Sequence, residues 1–162
     1  MKPNRLNRFS LLCSLICYLI VCCPPTLTAQ QQPREVVRIL AVGNSFSDDG
    51  VEYLDELAKA AGIRLIVGNL YIGGCSLERH WENVSKGLPA YDYRKNCEGV
   101  QSNTPKTSLL SALQDEPWDY ITVQQVSQNS GLYDTYYPFM PSLLQYLRTH
   151  ATNPGVRFAI HQ

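Results

Sequence analysis

Val36-Val37-Arg38-Ile39-Leu40-Ala41-Val42, followed at once by Gly43-Asn44-Ser45-Phe46-Ser47, is the stretch that decides the fold. Apart from Arg38 the first seven residues are apolar and rich in β-branched side chains, as a strand buried on both faces of a parallel sheet requires. Beyond the pentapeptide, Val51, Leu54, Leu57, Ala58 and Ala61 recur at helical spacing, Asp49 and Glu52 have the spacing of a capping box, and Gly62 stands where a C-terminal cap belongs. The reading is strand, tight turn, amphipathic helix. Ligands of open α/β sheets bind outside the carboxyl ends of the strands, so this turn places Ser45 at the edge where chemistry is done. The competing reading is that Ser45 and Ser47 only satisfy backbone groups of the turn.

The same pattern continues downstream. Arg64 to Leu70 reads as a second strand, bounded by Gly62 and Gly73-Gly74, and Leu77 to Trp81 as the start of a short helix. The polar, tyrosine-bearing region from Lys86 to Lys106, interrupted by Pro89 and Pro105, reads as a long functional loop. Leu109, Leu110 and Leu113 suggest a helix ended by Pro117, Tyr120 to Gln125 a third strand, Leu143, Leu144 and Leu147 a helix face running to about His150, and Val156 to His161 a last strand. Alternation of this kind predicts a doubly wound parallel α/β sheet with helices on both faces, in which the loops carrying Ser45, Gly74 and Gln124 to Gln128 converge. A parallel strand is normally followed by a crossover to another, so a chain stopping just after His161 reads as lacking its last helix-strand unit.

Lys2, Arg5 and Arg8, the apolar run Phe9 to Cys23 and the small-residue site Thr28-Ala29 read as a secretory signal peptide over residues 1–29, leaving 30–162 as one exported, secreted or periplasmic domain. Acylation of Cys22 or Cys23, making a lipoprotein, is the lesser alternative. Of six cysteines only Cys75 and Cys97 lie outside the leader. If they pair, the bridge closes a loop of about 22 residues, worth about 3 kcal/mol. Neither has a His or Cys at ligand spacing, so no metal is expected. The 14 basic and 14 acidic residues balance, and no basic run lies beyond the leader. Nucleic acid and anionic membranes are therefore disfavoured as partners, and a small-molecule or glycan ligand is favoured.

Acyl transfer needs a nucleophile, a base and donors for the oxyanion. Ser45 supplies the first, and the N–H groups of Ser45 and Gly74 with a side-chain amide can supply the third. In these blocks the chain resembles the SGNH/GDSL hydrolase superfamily, and a secreted bacterial branch of it described only as a domain of unknown function. Gly43-Asn44-Ser45-Phe46-Ser47 is similar to its nucleophile block, with Asn44 where aspartate is commoner. Asn69 to Ser76 is similar to the second block, whose glycine matches Gly74, and Asp119 to Ser127 to the third, with glutamine in place of asparagine. The resemblance implies an oxyanion role for Gln125, with Gln128 as substitute, and a serine esterase needing no cofactor. It also implies an Asp-x-x-His block beyond residue 162 that supplies the base. Asn44, His80, Gln124 and His161 are candidate substrate-binding residues. His80 is the one histidine near the second block, but a packed histidine is the commoner outcome. His150 is explained by a helix C-terminus. Asp48, Asp49 and Glu52 are explained by helix capping better than by a glycosidase pair. Two other classes remain beside the esterase: a catalytically incomplete remnant or glycan-binding module without a base, and a flavodoxin-like or dinucleotide-binding domain. The last is disfavoured because Gly43 stands alone where G-x-G-x-x-G is needed.

Overall fold

The computed structural model describes residues 36–161; the signal-peptide and lipoprotein readings lie outside them. Six strands form one mixed sheet with helices on both sides. They are β1 (Val36–Gly43), β2 (Arg64–Tyr71), β3 (Tyr91–Cys97), β4 (Val100–Thr107), β5 (Tyr120–Gln124) and β6 (Arg157–His161), in the spatial order β4-β3-β2-β1-β5-β6. The α/β doubly wound class expected from the sequence is the one observed. β1 pairs in parallel with β2 and β5, and β5 with β6. β3 and β4 are antiparallel additions at one edge.

Those two strands correct the loop expected between Lys86 and Lys106. Tyr91 and Tyr93 turn inward on β3 and are buried, whereas every residue of β4 before Thr107 is exposed. A strand with no buried face carries no apolar alternation to read. The two are joined at Glu98-Gly99, both at positive φ, with Cys97 opposite Val100. That is the backbone a two-residue hairpin needs. Pro105 is tolerated because β4 is the sheet edge.

On one face pack α3 (Leu77–Ser85), α4 (Leu109–Asp115) and α5 (Phe139–His150), covering a core that includes Leu40, Val42, Leu70, Trp118, Ile121, Val123, Leu143 and Leu147. Trp118 is fully buried and donates its indole N–H to the carbonyl of Ala112 at 2.9 Å, so the largest core side chain leaves no polar atom stranded. The hairpin is tied to this layer by the hydroxyl of Tyr93, which donates to Asp115 at 2.8 Å, and by Lys95, which reaches Asp115 and Glu116 at 2.6 Å each.

The other face carries α1 (Ser45–Val51) and α2 (Leu54–Ala60), where a single helix was expected. The N-cap is Asn44, whose side chain accepts from the N–H of Phe46, so Asp49 and Glu52 are not the start of the helix. Gly62 ends α2 as anticipated, with the N–H groups of Gly62 and Ile63 returning to the carbonyls of Lys59 and Ala58. The expected apolar face is only partly used: Leu57 is exposed, and the buried residue of α2 is Asp55, paired with Lys59 at 2.5 Å. The last strand, read as core, lies at the opposite sheet edge from β4 and leaves Ile160 half exposed.

Candidate active site

Backbone and side-chain bonds knit the carboxyl ends of four strands together. The N–H of Ile72 donates to the carbonyl of Gly43 at 3.3 Å, joining the turns after β1 and β2. Asn44, 1% exposed, caps α1 with its oxygen while its amide donates to the carbonyl of Cys75 at 3.1 Å. Ser47, fully buried, donates to Oε1 of Gln124 at 2.9 Å and lies 3.0 Å from Nε2 of His161. Residues Gly43, Gln124 and His161 continue the parallel register of β1, β5 and β6 and meet on the face that carries α1. A Cβ on Gly43 would fall 1.8 Å from the Ser47 hydroxyl, so only glycine lets the first turn of α1 settle this low on the sheet.

Between these two anchors Ser45 is exposed. It is the first residue of α1, and neither its N–H nor that of Gly74 donates to another group among the described residues. Gly74, exposed at φ +60, occupies the turn after β2. The result is a solvent-facing hydroxyl at a helix N-terminus, where N–H dipoles favour a developing negative charge.

The remaining candidates separate into two groups. Gln125 is 1% exposed, and all its hydrogen-bonding capacity is used: Oε1 accepts from the N–H groups of Leu77 and Val126, and Nε2 donates to the carbonyl and hydroxyl of Thr135. It clamps the β5 loop to the start of α3 and has no N–H left for an oxyanion. Gln128 is exposed on the 3-10 turn Ser127–Asn129 of the same loop, with only its Oε1 engaged, by Ser127 at 3.5 Å. Gln124 is buried beneath Ser47 rather than facing solvent.

His80 is corrected as a substrate-binding candidate. It is fully buried on α3, stacked on Tyr91 with ring centroids 5.7 Å apart and with Nδ1 3.0 Å from the tyrosine hydroxyl. Burial, reinforced by Arg79, lowers its pKa to about 3. No substrate can reach it. His150 bonds the carbonyl of Tyr146 at the end of α5, as its helix-terminal position suggested. His161 is half-buried, and burial holds its pKa below the ordinary histidine value. Its ring nitrogen is turned to Ser47, so it fastens α1 to the edge strand.

The cysteine pairing is also corrected. Cys75 and Cys97 are both free. Cys75 lies past the carboxyl end of β2, whereas Cys97 pairs with Ile66 near that strand's start. At about 3.3 Å per residue the two ends of β2 are more than 15 Å apart, too far for any disulfide. Buried Cys75 has its thiol pushed up to about 12 by desolvation, so it is not a nucleophile.

Sequence reading missed the groups beside α1. Asn69 on β2 donates to Asp48 at 2.8 Å, and Asp48 also pairs with Arg94 of β3. A lone asparagine inside the otherwise apolar second strand was the signal for them.

Comparison with known proteins agrees with this architecture. No curated protein matches the chain. Among solved structures, the crystal structure of a DUF4886 family protein from Bacteroides uniformis is similar, with 47% sequence identity and a TM-score of 0.76 over 79% of this chain. The chain spans half the length of that protein. The family model described as Domain of unknown function (DUF4886) matches residues 38–162, which is most of the sequence and all but the first strand residues of the fold, and the chain belongs to that family.

Proposed function

We propose that the protein is an exported serine ester hydrolase that removes a small acyl group, carbohydrate-linked in the natural substrate, with Ser45 as nucleophile. The observation that carries this reading is the exposure of Ser45 between two buried, hydrogen-bonded neighbours, Asn44 and Ser47, which hold its hydroxyl at the sheet edge without engaging it. In the proposed step the Ser45 oxygen bonds to the acyl carbon, its proton passes to a base, and the carbonyl electrons move onto an oxygen facing the N–H groups of Ser45 and Gly74. Collapse expels the alcohol, and water then releases the acid. Each oxyanion donor is worth about 3 kcal/mol. Gln128, with its free amide, is the side-chain donor of choice now that Gln125 is occupied.

The base is the Asp-x-x-His pair implied by the superfamily resemblance, to be sought past residue 162 in a protein as long as the Bacteroides relative. Export rests on the charge and apolar pattern of residues 1–29. The test is hydrolysis of p-nitrophenyl acetate and acetylated xylan by that longer protein. Ser45→Ala should cut kcat at least about a thousandfold with unchanged thermal stability, on the scale seen when other serine hydrolases lose their nucleophile. Retained activity in the variant would remove Ser45 from the mechanism.

One observation favours a second reading, a glycan-binding module without turnover. His80, His150 and His161 are each engaged away from Ser45. A longer protein that binds acetylated glycan but leaves the ester intact would select it.

A further inference from the structure

A cleft of about 670 Å³ opens on the α1 face of the sheet, between that helix and the hairpin, and nothing in the proposed chemistry at Ser45 uses it. Its floor is two rows of side chains set by strand register. Asn69, Arg94 and Asn103 form one row across β2, β3 and β4, and Val67, Asn96 and Gln101 form the next. Adjacent strands are about 4.8 Å apart, so neighbouring polar side chains stand at the separation of equatorial hydroxyls on alternate carbons of one sugar ring. The wall is the outer part of α1 and the residue after it, with Asp49 and Glu52.

One polar atom of this cleft is unexplained by the protein itself. Asn69 is 2% exposed, and while its amide donates to Asp48, its Oδ1 has no partner. The orientation is fixed, since turning the amide over would put its oxygen against the Asp48 carboxylate. A buried acceptor left unmade costs about 1–3 kcal/mol, so this atom calls for a partner from outside the chain, an ordered water or a ligand group. Asp48 and Arg94 neutralise one another, and the Arg94 guanidinium lies 3.8 Å above the Tyr71 ring, which holds it in place along the floor. Asp49 and Glu52 have no ion-pair partner among the described residues. The uncompensated charge of the cleft is therefore negative.

A pocket of this size suits a ligand of one or two rings. Its lining offers amides, which both donate and accept, together with carboxylate acceptors, while Val51 and Val67 are its apolar members. That chemistry matches hydroxyl groups and excludes an acyl chain, and the unpaired carboxylates repel phosphate or uronate. We propose that this cleft binds a neutral or amino-bearing saccharide unit. Asp48 lies three residues along α1 from Ser45, about 5 Å of helix rise, so a glycan seated here reaches the nucleophile. The cleft then holds the alcohol side of the ester, a step that rests on the esterase reading; the binding itself does not.

Calorimetric titration of the whole protein with xylotetraose, cellotetraose, chitotetraose and trigalacturonate tests this. At least one of the first three should bind with Kd below about 10 mM, and the double variant Gln101→Ala/Asn103→Ala should weaken it about tenfold or more. Both substituted side chains are exposed on the edge strand, so the fold survives their loss. Trigalacturonate should not bind to the native protein and should gain affinity in Asp49→Asn/Glu52→Gln. Failure of all three neutral or amino sugars, equal binding by the double variant, or binding of trigalacturonate as tight as theirs overturns the proposal. Ser45→Ala separates the two ideas: it should bind saccharide as the native protein does whatever becomes of its esterase activity.

Discussion

The hydroxyl of Ser47 donates to Oε1 of Gln124 across 2.9 Å, directly over the Cα of Gly43, and this bond sets the depth at which α1 sits on the sheet. A methyl group on Gly43 would lie 1.8 Å from the Ser47 oxygen and 2.9 Å from that of Gln124. The nearer obstacle sits on a short, fully buried side chain, and the Gln124 oxygen, though the end of a longer one, is buried and held by its bond to Ser47. Gly43→Ala should therefore destabilise the protein by about 1–3 kcal/mol in urea unfolding, the usual cost of forced overpacking. Adding Ser47→Ala removes the nearer obstacle, so the double variant should be more stable than the two single losses predict when summed. Strict additivity would show that the turn relaxes elsewhere.

How much of this could be read beforehand follows from which residues carry a pattern. The β1 to Ser45 turn was legible because a run of six apolar residues broken only by Arg38 and ending in glycine and asparagine admits few other structures. The Gly62 cap and the placement of β2, β5 and β6 followed for similar reasons. The hairpin was not legible, since β4 packs against nothing and its residues are those of a loop. Leu57 misled for the opposite cause: helical spacing implied a buried face, while the short α2 instead turns Asp55 inward. Within the site, sequence placed the three loops but not the hydrogen bonds. Gln124, Gln125 and Gln128 are chemically alike, and only coordinates show one buried under Ser47, one locked on Thr135 and one exposed.

Buried His80 makes stability depend on acidity. Its pKa is about 3 in the folded protein, against an ordinary value of 6.5. Above pH 6.5 the ring is neutral in both states. Between pH 6.5 and pH 3 the unfolded chain takes up a proton that the folded protein refuses, so stability falls as pH falls through this window, with a limiting slope of about 1.4 kcal/mol per pH unit. His161 is shifted in the same direction and adds to the slope, but it remains in a His80→Gln variant. Urea midpoints of that variant should decline less steeply between pH 6 and pH 4 than those of the native protein. Parallel curves would mean that His80 is already protonated or hydrated in the folded state.

The two thiols of the described residues should differ sharply in reactivity. Cys97 is exposed, whereas Cys75 is fully buried, with its thiolate disfavoured by desolvation. Iodoacetamide labelling read by peptide mass spectrometry should modify Cys97 in the native protein and Cys75 only after unfolding. Mild oxidation should yield no peptide linking the two. Rapid labelling of Cys75 at neutral pH would imply that the β2 loop opens, and with it the Asn44 bond that anchors Ser45.

Gln125 distinguishes a structural clamp from an oxyanion donor. Its four hydrogen bonds join the β5 loop, the Thr135 segment and the first residue of α3. Gln125→Glu keeps the oxygen that accepts from Leu77 and Val126 but removes both donations to Thr135 and brings a carboxylate against the Thr135 carbonyl. The expected result is a loss of about 2–4 kcal/mol of stability, the cost of buried polar groups left unmatched. KM and kcat measured below the unfolding temperature should change far less than in Gln128→Ala, where the free amide is lost without a stability effect. A Gln125→Glu protein of native stability whose kcat falls about a hundredfold would instead give the amide a transition-state role, since that is the scale of one missing oxyanion donor.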